Sequence, residues 1–371
     1  MERYRKNVYC DWEFLESLMS KLGDYPNFDN SFLGNNEVAI CIKELLLSSD
    51  VKLFLNVSKD FYDSFLSEID NKRKKAARKG KDPQLTDFEK LVREIDLKQQ
   101  NNELHLHHNA SKVHFDDSLL NDSYLNSLFF SCESKEICKK VMEDYGVIVI
   151  NTENMNNFKP LIFDQGVALR KDEVSCWNKC LEMKNMIPCN SLVIVDNYIL
   201  NETDKIEENL TSIFDVLIPQ KIDGRIHFHI AIFTTLCNDR GIPYNSKSRL
   251  ELVHNILCKI RPGLHFTISI IKCSKDKFHD RTIITNNLYI GCGGGFDLFK
   301  KGKSQKTTTI SFFNPFLNFY TIWSRKAYSN LISDAIKVFN NTSMFDESKM
   351  NDSFPSFVIG EKQNRLLTQS T

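Results

Sequence analysis

The chain has 371 residues, 42% hydrophobic and 11% aromatic, which at about 150 residues per domain is enough to build two cores. Lys and Arg total 48, as do Asp and Glu, so no global basic excess argues for a protein that coats nucleic acid or membrane, and any polyanion contact must be local. The opening MERYRKNVYCDWEF lacks the apolar stretch of a signal peptide, no later segment approaches the roughly 18 apolar residues of a membrane span, and cysteines such as Cys41, Cys138, Cys258 and Cys273 sit in apolar segments. These features predict a cytoplasmic protein with reduced thiols.

Periodicity predicts a strand over 7–10, helices over 12–22 and 37–47, and a strand over 51–57. From 59 to about 100 the pattern is helical and heavily charged, with KRKKAARKGK at 72–81 and a break at Pro83, followed by a His- and Asn-rich stretch at 101–108. A strand over 127–131, an amphipathic helix over 134–145 closed by Gly146 and a β-branched strand over 147–151 make a β-α-β unit, hence a parallel sheet. The alternation resumes after Pro160: a helix over about 171–186, strand 191–199, helix 202–217, strand 225–235, helix 246–260 and strand 264–273. Strands over 282–290 and 308–312 flank a glycine-rich turn, and a helix covers 323–339. The expected fold is α/β in two domains, each a mainly parallel sheet flanked by helices, over 1–155 and 160–340, with a polar C-terminal tail over 341–371. No internal repeat is visible.

Asp11 follows directly on the first strand, NVYC, at the C-terminal end where open α/β sheets hold their ligands. It reads either as a ligand-site carboxylate or as the cap of the next helix. The order strand, Asp, helix, and later LFFSCESKEICKKVMEDYGVIVIN at 128–151, resembles the PIN-like ribonuclease domain over about residues 1–155. That resemblance implies carboxylates holding one or two Mg2+ or Mn2+ ions, because hard cations take oxygen ligands and activate water against a phosphodiester. Asp11 and Glu133 are the implied ligands, with Glu133 where the family usually has Asp. Asp122 is a third candidate, read also as a solvated surface residue, with Asp116 or Asp117 as competitors and Asp60 or Asp63 as a fourth. The run Lys72, Arg73, Lys74, Lys75, Arg78, Lys79 and Lys81 either neutralises phosphates of RNA or single-stranded nucleic acid or solvates a helix end. His105, His107, His108 and His114 lack partner cysteines or spaced carboxylates, and Cys176, Cys180 and Cys189 lack a fourth ligand, so neither set reads as a zinc site.

In KFHDRTIITNNLYIGCGGGFDLFK at 277–300, His279 and Arg281 start a strand and point the same way, since side chains alternate with period two. The segment resembles a phospholipase D-like HxK(x)4D signature, closest to the variant in the C-terminal domain of MIT-domain proteins, over about residues 160–340. The resemblance implies His279 as nucleophile, Arg281 in place of the lysine on the phosphoryl oxygens, and Asn286 in place of the aspartate that orients a histidine. It also implies Asp196 and Tyr198 in an early strand-Asp-x-Tyr, and the turn Gly291, Gly293, Gly294 and Gly295 as a phosphate loop beside Lys300, Lys301, Lys303 and Lys306. Asparagine cannot supply the charge that raises histidine basicity, and no second motif copy is present, so an active enzyme would be a homodimer through this domain. Alternatively His279 caps the strand and the glycines serve a tight turn. His227 and His229 share one face of a strand; His229 could reach a sheet-end site, but both read first as core or sheet-surface residues.

Both halves thus point to phosphodiesters. The expected function is a metal-dependent nuclease whose C-terminal module positions phosphate or dimerises, in nucleic-acid defence or RNA processing. The alternatives are a metal-independent phosphodiesterase using His279 in a dimer, or a non-catalytic protein that binds phosphate or anionic lipid headgroups.

Overall fold

The computed structural model describes residues 4–22, 37–99, 104–106, 120, 122–162, 164–181, 187–237, 245–278, 280–318, 321–345 and 356–368. The first layer is a five-stranded sheet of β1 (Lys6–Asp11), β2 (Val51–Asn56), β3 (His105–Leu106), β4 (Ser127–Phe130) and β5 (Ile148–Ile150), in the order β3-β2-β1-β4-β5 with every pairing parallel. Helices α1 (Trp12–Leu22), α2 (Glu37–Leu46), α3 (Lys59–Arg78), α4 (Asp87–Gln99), the short α5 (Asp122–Leu125) and α6 (Lys135–Tyr145) connect the strands. Local chemistry sets these boundaries. The Ser58 and Ser134 hydroxyls accept from the amides of Phe61 and Ile137 and so cap α3 and α6, while Gly146, with φ +65°, closes α6 in the left-handed region. A Cβ on Gly146 would lie 2.4 Å from the Cys189 carbonyl oxygen, so close approach also requires glycine there.

The second layer adds β6 (Gln165–Leu169), α7 (Trp177–Cys180), β7 (Ser191–Val195), α8 (Thr203–Leu217), β8 (Phe228–Thr234), α9 (Ser246–Ile260), β9 (Phe266–Lys272), β10 (Thr282–Thr285), β11 (Tyr289–Cys292), β12 (Phe299–Lys300), β13 (Lys303–Ser304), β14 (Thr308–Phe313), α10 (Thr321–Asn340), β15 (Ser343–Met344) and β16 (Phe357–Gly360). Nine of these strands form one sheet, β15-β16-β9-β8-β7-β10-β11-β14-β6. The expected parallel centre is made by β7, β8 and β9, and β15 pairs in parallel with β16 at one edge; the other five pairings are antiparallel, so the sheet is mixed and not mainly parallel.

Three local expectations change. The single run 282–290 is a hairpin that turns at Asn286–Leu288, with Thr285 N–H donating to the Leu288 carbonyl at 2.9 Å. The helix expected over 171–186 is a turn at Asp172, a bridge at Val174 and the single helical turn of α7, with 182–186 outside the described residues. The described part of the tail packs into the fold: β16 pairs with β9, and Asn364, Arg365, Leu366 and Leu367 are buried.

One core runs between the layers. Val8, Leu53 and Phe130 of the first sheet, Leu15 of α1 and Ile42 of α2 belong to the same buried cluster as Val193, Ala231 and Ile271 of the second sheet and Tyr328 and Ile332 of α10. The opposite face of the second sheet packs on α8 and α9 through residues such as Ile194, Ile230, Leu210 and Leu257. No helix among the described residues is long and apolar enough to cross a membrane.

Candidate functional site at two strand ends

From β1 the chain runs through β2 to β3 on one side and then β4 to β5 on the other, so the strand order reverses between β1 and β4, and ligands of open α/β sheets bind beyond the carboxyl ends of the strands at such a switch point. Asp11 occupies that end of β1 and is fully buried. Its Oδ1 accepts from Asn56 Nδ2 at 3.0 Å, and its Oδ2 accepts from Ser131 Oγ at 3.1 Å and the Cys132 N–H at 2.9 Å. Glu133 follows at once: its N–H donates to Ser131 Oγ at 3.1 Å and its carbonyl accepts from Asn151 Nδ2 at 2.8 Å. Parallel register explains the gathering, because β1, β2 and β4 all end at one level, with Asp11 opposite Asn56 and Cys10 opposite Phe130.

The other implied ligands fall differently. Asp122 starts α5, its side chain lies outside the described residues, and so do Asp116 and Asp117. Asp60 and Asp63 are exposed on the first turns of α3, where Asp63 pairs with Lys59 at 2.8 Å. Among the described residues no three His, Cys, Asp or Glu side chains form a group able to hold a metal ion. Asp11, Asn56, Ser131 and Glu133 nevertheless all bear oxygen, the donor type hard cations take, and Mg2+ is commonly held by one or two carboxylates with water and substrate completing its shell. Two of the hydrogen bonds to Asp11 come from neutral side chains, Asn56 and Ser131, that can turn an oxygen to a cation instead. The donor set therefore fits such an ion in kind.

The basic run lies at the far end of α3, where Lys79 is the C-cap and Gly80, φ +58°, turns the chain. His105 stacks on Phe54 with centroids 4.6 Å apart; His107, His108 and His114 lie outside the described residues.

The second strand end belongs to β7. Asp196, 1% exposed, accepts from the Tyr198 N–H at 2.7 Å on Oδ1 and the Phe296 N–H at 2.6 Å on Oδ2. Burial raises its pKa above the ordinary carboxylate value, opposed by those two N–H groups. Arg281, just before β10, stands beside β7 because Thr282 pairs with Val195. Its guanidinium donates to the Gly293 carbonyl at 2.9 Å and lies 5.5 Å from the Tyr198 ring centre, while Lys275 lies 5.4 Å from the same centre. The glycine turn packs onto this pair: a Cβ on Gly295, φ +88°, would come within 3.0 Å of both Arg281 Cδ and Asp196 Oδ2. The turn's amides at Gly294, Gly295 and Phe296 donate to Thr308 Oγ1, the Cys292 carbonyl and Asp196, and the Gly294 carbonyl accepts from Lys306 Nζ. Gly291 is within β11 and Gly293 supplies the carbonyl to Arg281. His279 lies outside the described residues.

Asn286 is not beside Arg281. It ends β10 at the opposite edge, fully buried, where it accepts from the Asn190 N–H at 3.1 Å and donates to the Gly146 carbonyl at 2.9 Å, joining the two sheets. Sequence reasoning missed the polar seam around it. Lys6, at the start of β1, is fully buried and donates to the Asn286 carbonyl at 2.5 Å and Asn126 Oδ1 at 3.1 Å; burial lowers its pKa to about 7. Arg365 donates to the Asn190 carbonyl at 2.8 Å and the His227 carbonyl at 3.3 Å, and its N–H donates to His229 Nδ1 at 2.9 Å. Burial lowers the His229 pKa to about 3, so this histidine is a neutral acceptor within the fold. Cys180 contacts Ser175 and Cys189 donates to the Leu217 carbonyl, so the helix cysteines serve packing.

Fold and strand ends together define an α/β protein with a parallel five-stranded sheet, a mixed nine-stranded sheet and a buried, hydrogen-bonded carboxylate at the switch-point end of the first. The chain matches no protein-family model, and no curated protein matches it in sequence.

Proposed function

We propose that the chain is a metal-dependent nuclease acting on RNA or single-stranded nucleic acid, with a PIN-like N-terminal half that cuts and a phospholipase D-like C-terminal half that positions phosphate or forms a homodimer. The observation that carries this reading is the convergence of Asp11, Asn56, Ser131 and Glu133 at the switch-point end of an all-parallel sheet. Asp11 and Glu133 would hold Mg2+ or Mn2+, and such a cation lowers the pKa of bound water and neutralises phosphate charge. Asn56 and Ser131 fix the Asp11 carboxylate between the neighbouring strands. The Asn151 contact to the Glu133 carbonyl and the Ser131 contact to its amide hold the Glu133 backbone beside the Asp11 hydrogen-bond set. In the reaction water adds to phosphorus, one P–O bond breaks, and the departing oxygen takes a proton.

The test is cleavage of labelled single-stranded RNA and DNA with Mg2+, Mn2+ or EDTA. Because Asp11 is buried, Asp11→Asn is paired with Glu133→Gln, whose position is partly exposed. Cleavage that needs metal and falls at least 100-fold in Glu133→Gln, with folding intact by circular dichroism, is the expected result. Unchanged cleavage in both folded variants overturns it. A second reading has its own observation, the shared approach of Arg281 and Lys275 to Tyr198 beside Asp196, a cationic end suited to phosphate. On that reading the chain is a metal-independent phosphodiesterase using His279 in a dimer, or a non-catalytic protein that binds phosphate or lipid headgroups. EDTA-resistant cleavage lost in His279→Ala selects the former, and phosphate binding without turnover the latter.

A further inference from the structure

The hairpin of α3 and α4 changes character along its length. Just below its tip Lys72 pairs with Glu89, and Arg93 with both Asp70 and Asp96. At its tip Arg73, Lys74, Lys75, Arg78, Lys79 and Lys81 are all exposed, and none of them forms an ion pair among the described residues. In a chain of zero net charge this is a local surplus, and like charges so close repel unless an anion is shared. The tip has no bulky apolar side chain between Asn71 and Asp82, only Ala76 and Ala77, so it lacks what a membrane-surface helix inserts.

The other end of the same helix adjoins Asp11. Phe61, in the first turn of α3, is 50% exposed, and among the described residues it is the one aromatic residue in the set of exposed large hydrophobics. It is held rigidly: the Ser58 cap fixes its amide, and its ring meets Trp12, the residue after Asp11, at 5.6 Å and 88°. Trp12 is fixed in turn by Phe65, Phe88 and a bond from its Nε1 to Glu16. On the opposite flank, Ile137 in the first turn of α6 is 43% exposed. Both helices follow strands that neighbour β1, so an exposed apolar side chain stands on the helix to each side of the β1 end that carries Asp11.

We propose that α3 guides a single strand to the Asp11 site: Phe61, with Ile137 on the far flank, stacks an unpaired nucleobase, and the cations at the tip hold the strand's phosphates. The proposal rests on the nuclease reading of Asp11 and sharpens it to an unpaired substrate, since a base within a duplex cannot offer its face to a side chain. From Phe61 to Arg78 the helix rises about 26 Å, which suits a site at the short end of the roughly 4–16 nucleotides that single-strand folds cover.

The experiment is binding of a short RNA carrying 2-aminopurine, single-stranded or annealed, to the full chain in EDTA, so that chemistry is silent. The wild type is expected to quench the label and prefer the single strand. Phe61→Ala is expected to bind the single strand about 10-fold more weakly with the quench lost, while Phe61→Trp restores both. Replacing Lys74, Lys75 and Arg78 by Gln is expected to lower the slope of log affinity against log salt by about 2, at roughly 0.7 per phosphate contact. Unchanged binding in Phe61→Ala, equal binding of single strand and duplex, or binding to phosphatidylserine vesicles but not to RNA overturns the proposal. Its failure is separable from failure of the nuclease reading, which shows instead as unchanged metal-dependent cleavage in Asp11→Asn and Glu133→Gln.

Discussion

Two buried aspartates end two parallel strands, yet they are held by different kinds of donor. Asp196 accepts from the backbone amides of Tyr198 and Phe296, groups that cannot turn away without remaking the chain. Asp11 accepts from the side chains of Asn56 and Ser131 as well as from the Cys132 amide, and side chains can turn. A carboxylate bound by fixed amides acts as a brace, whereas one bound by rotatable neighbours can exchange them for a ligand. Position at a strand end is therefore shared by both residues, and the identity of the donors distinguishes them.

The largest expected effect tests the brace. Asp196→Asn places an amide group against two buried N–H donors and should cost about 3 kcal/mol, read as a fall in the urea midpoint. A loss under about 1 kcal/mol would break the contrast. The next concerns Lys6, at the other end of the strand that carries Asp11. Its folded pKa, about 7, lies below the ordinary 10.5, so between these values the unfolded chain binds more protons and stability rises with pH; below about 7 the burial penalty is fully present. The rise should be about 2 kcal/mol between pH 7.5 and pH 9.5, measured by urea unfolding, and should be absent in Lys6→Met. Cleavage at fixed pH should be unaffected, since Lys6 touches neither strand end. The smallest is Ser131→Ala, which removes one rotatable donor and should cost about 1–2 kcal/mol while Asp11 stays buried. A loss as large as that of Asp196→Asn would make Asp11 a brace as well.

Much of the first layer was readable because its strands are short β-branched or aromatic runs, such as VIVI before Asn151, between amphipathic helices with a visible Ser cap or Gly end. Asp11 was readable by position alone. Asn56 and Ser131 were not, because their role depends on three strands ending at one level, which is register and not composition. The second layer misled where apolar runs concealed a change of direction. TIITNNLYI has the apolarity of one long strand, yet its Asn-Asn pair is a turn signal that could have split it. Asn286 fits a motif by spacing but lies beyond that turn's entry, at the seam. SFVIG is a strand within a polar stretch, paired only through tertiary contact with β9. Lys6 had no signal, since a lysine's sequence default is the surface.

The seam also imposes an order on biosynthesis. Arg365 reaches back 175 residues to the Asn190 carbonyl, and β16 completes its side of the large sheet only when it docks on β9. While a ribosome is still making the second layer, the Asn190 carbonyl and the His229 ring have no Arg365 to bond with. The five-stranded layer closes through earlier contacts and can form while this happens, exposing the face it later shares with α10. Nascent chains should therefore pass through a stage in which half the molecule is built and its joint is open, the stage at which a chaperone would engage apolar surface.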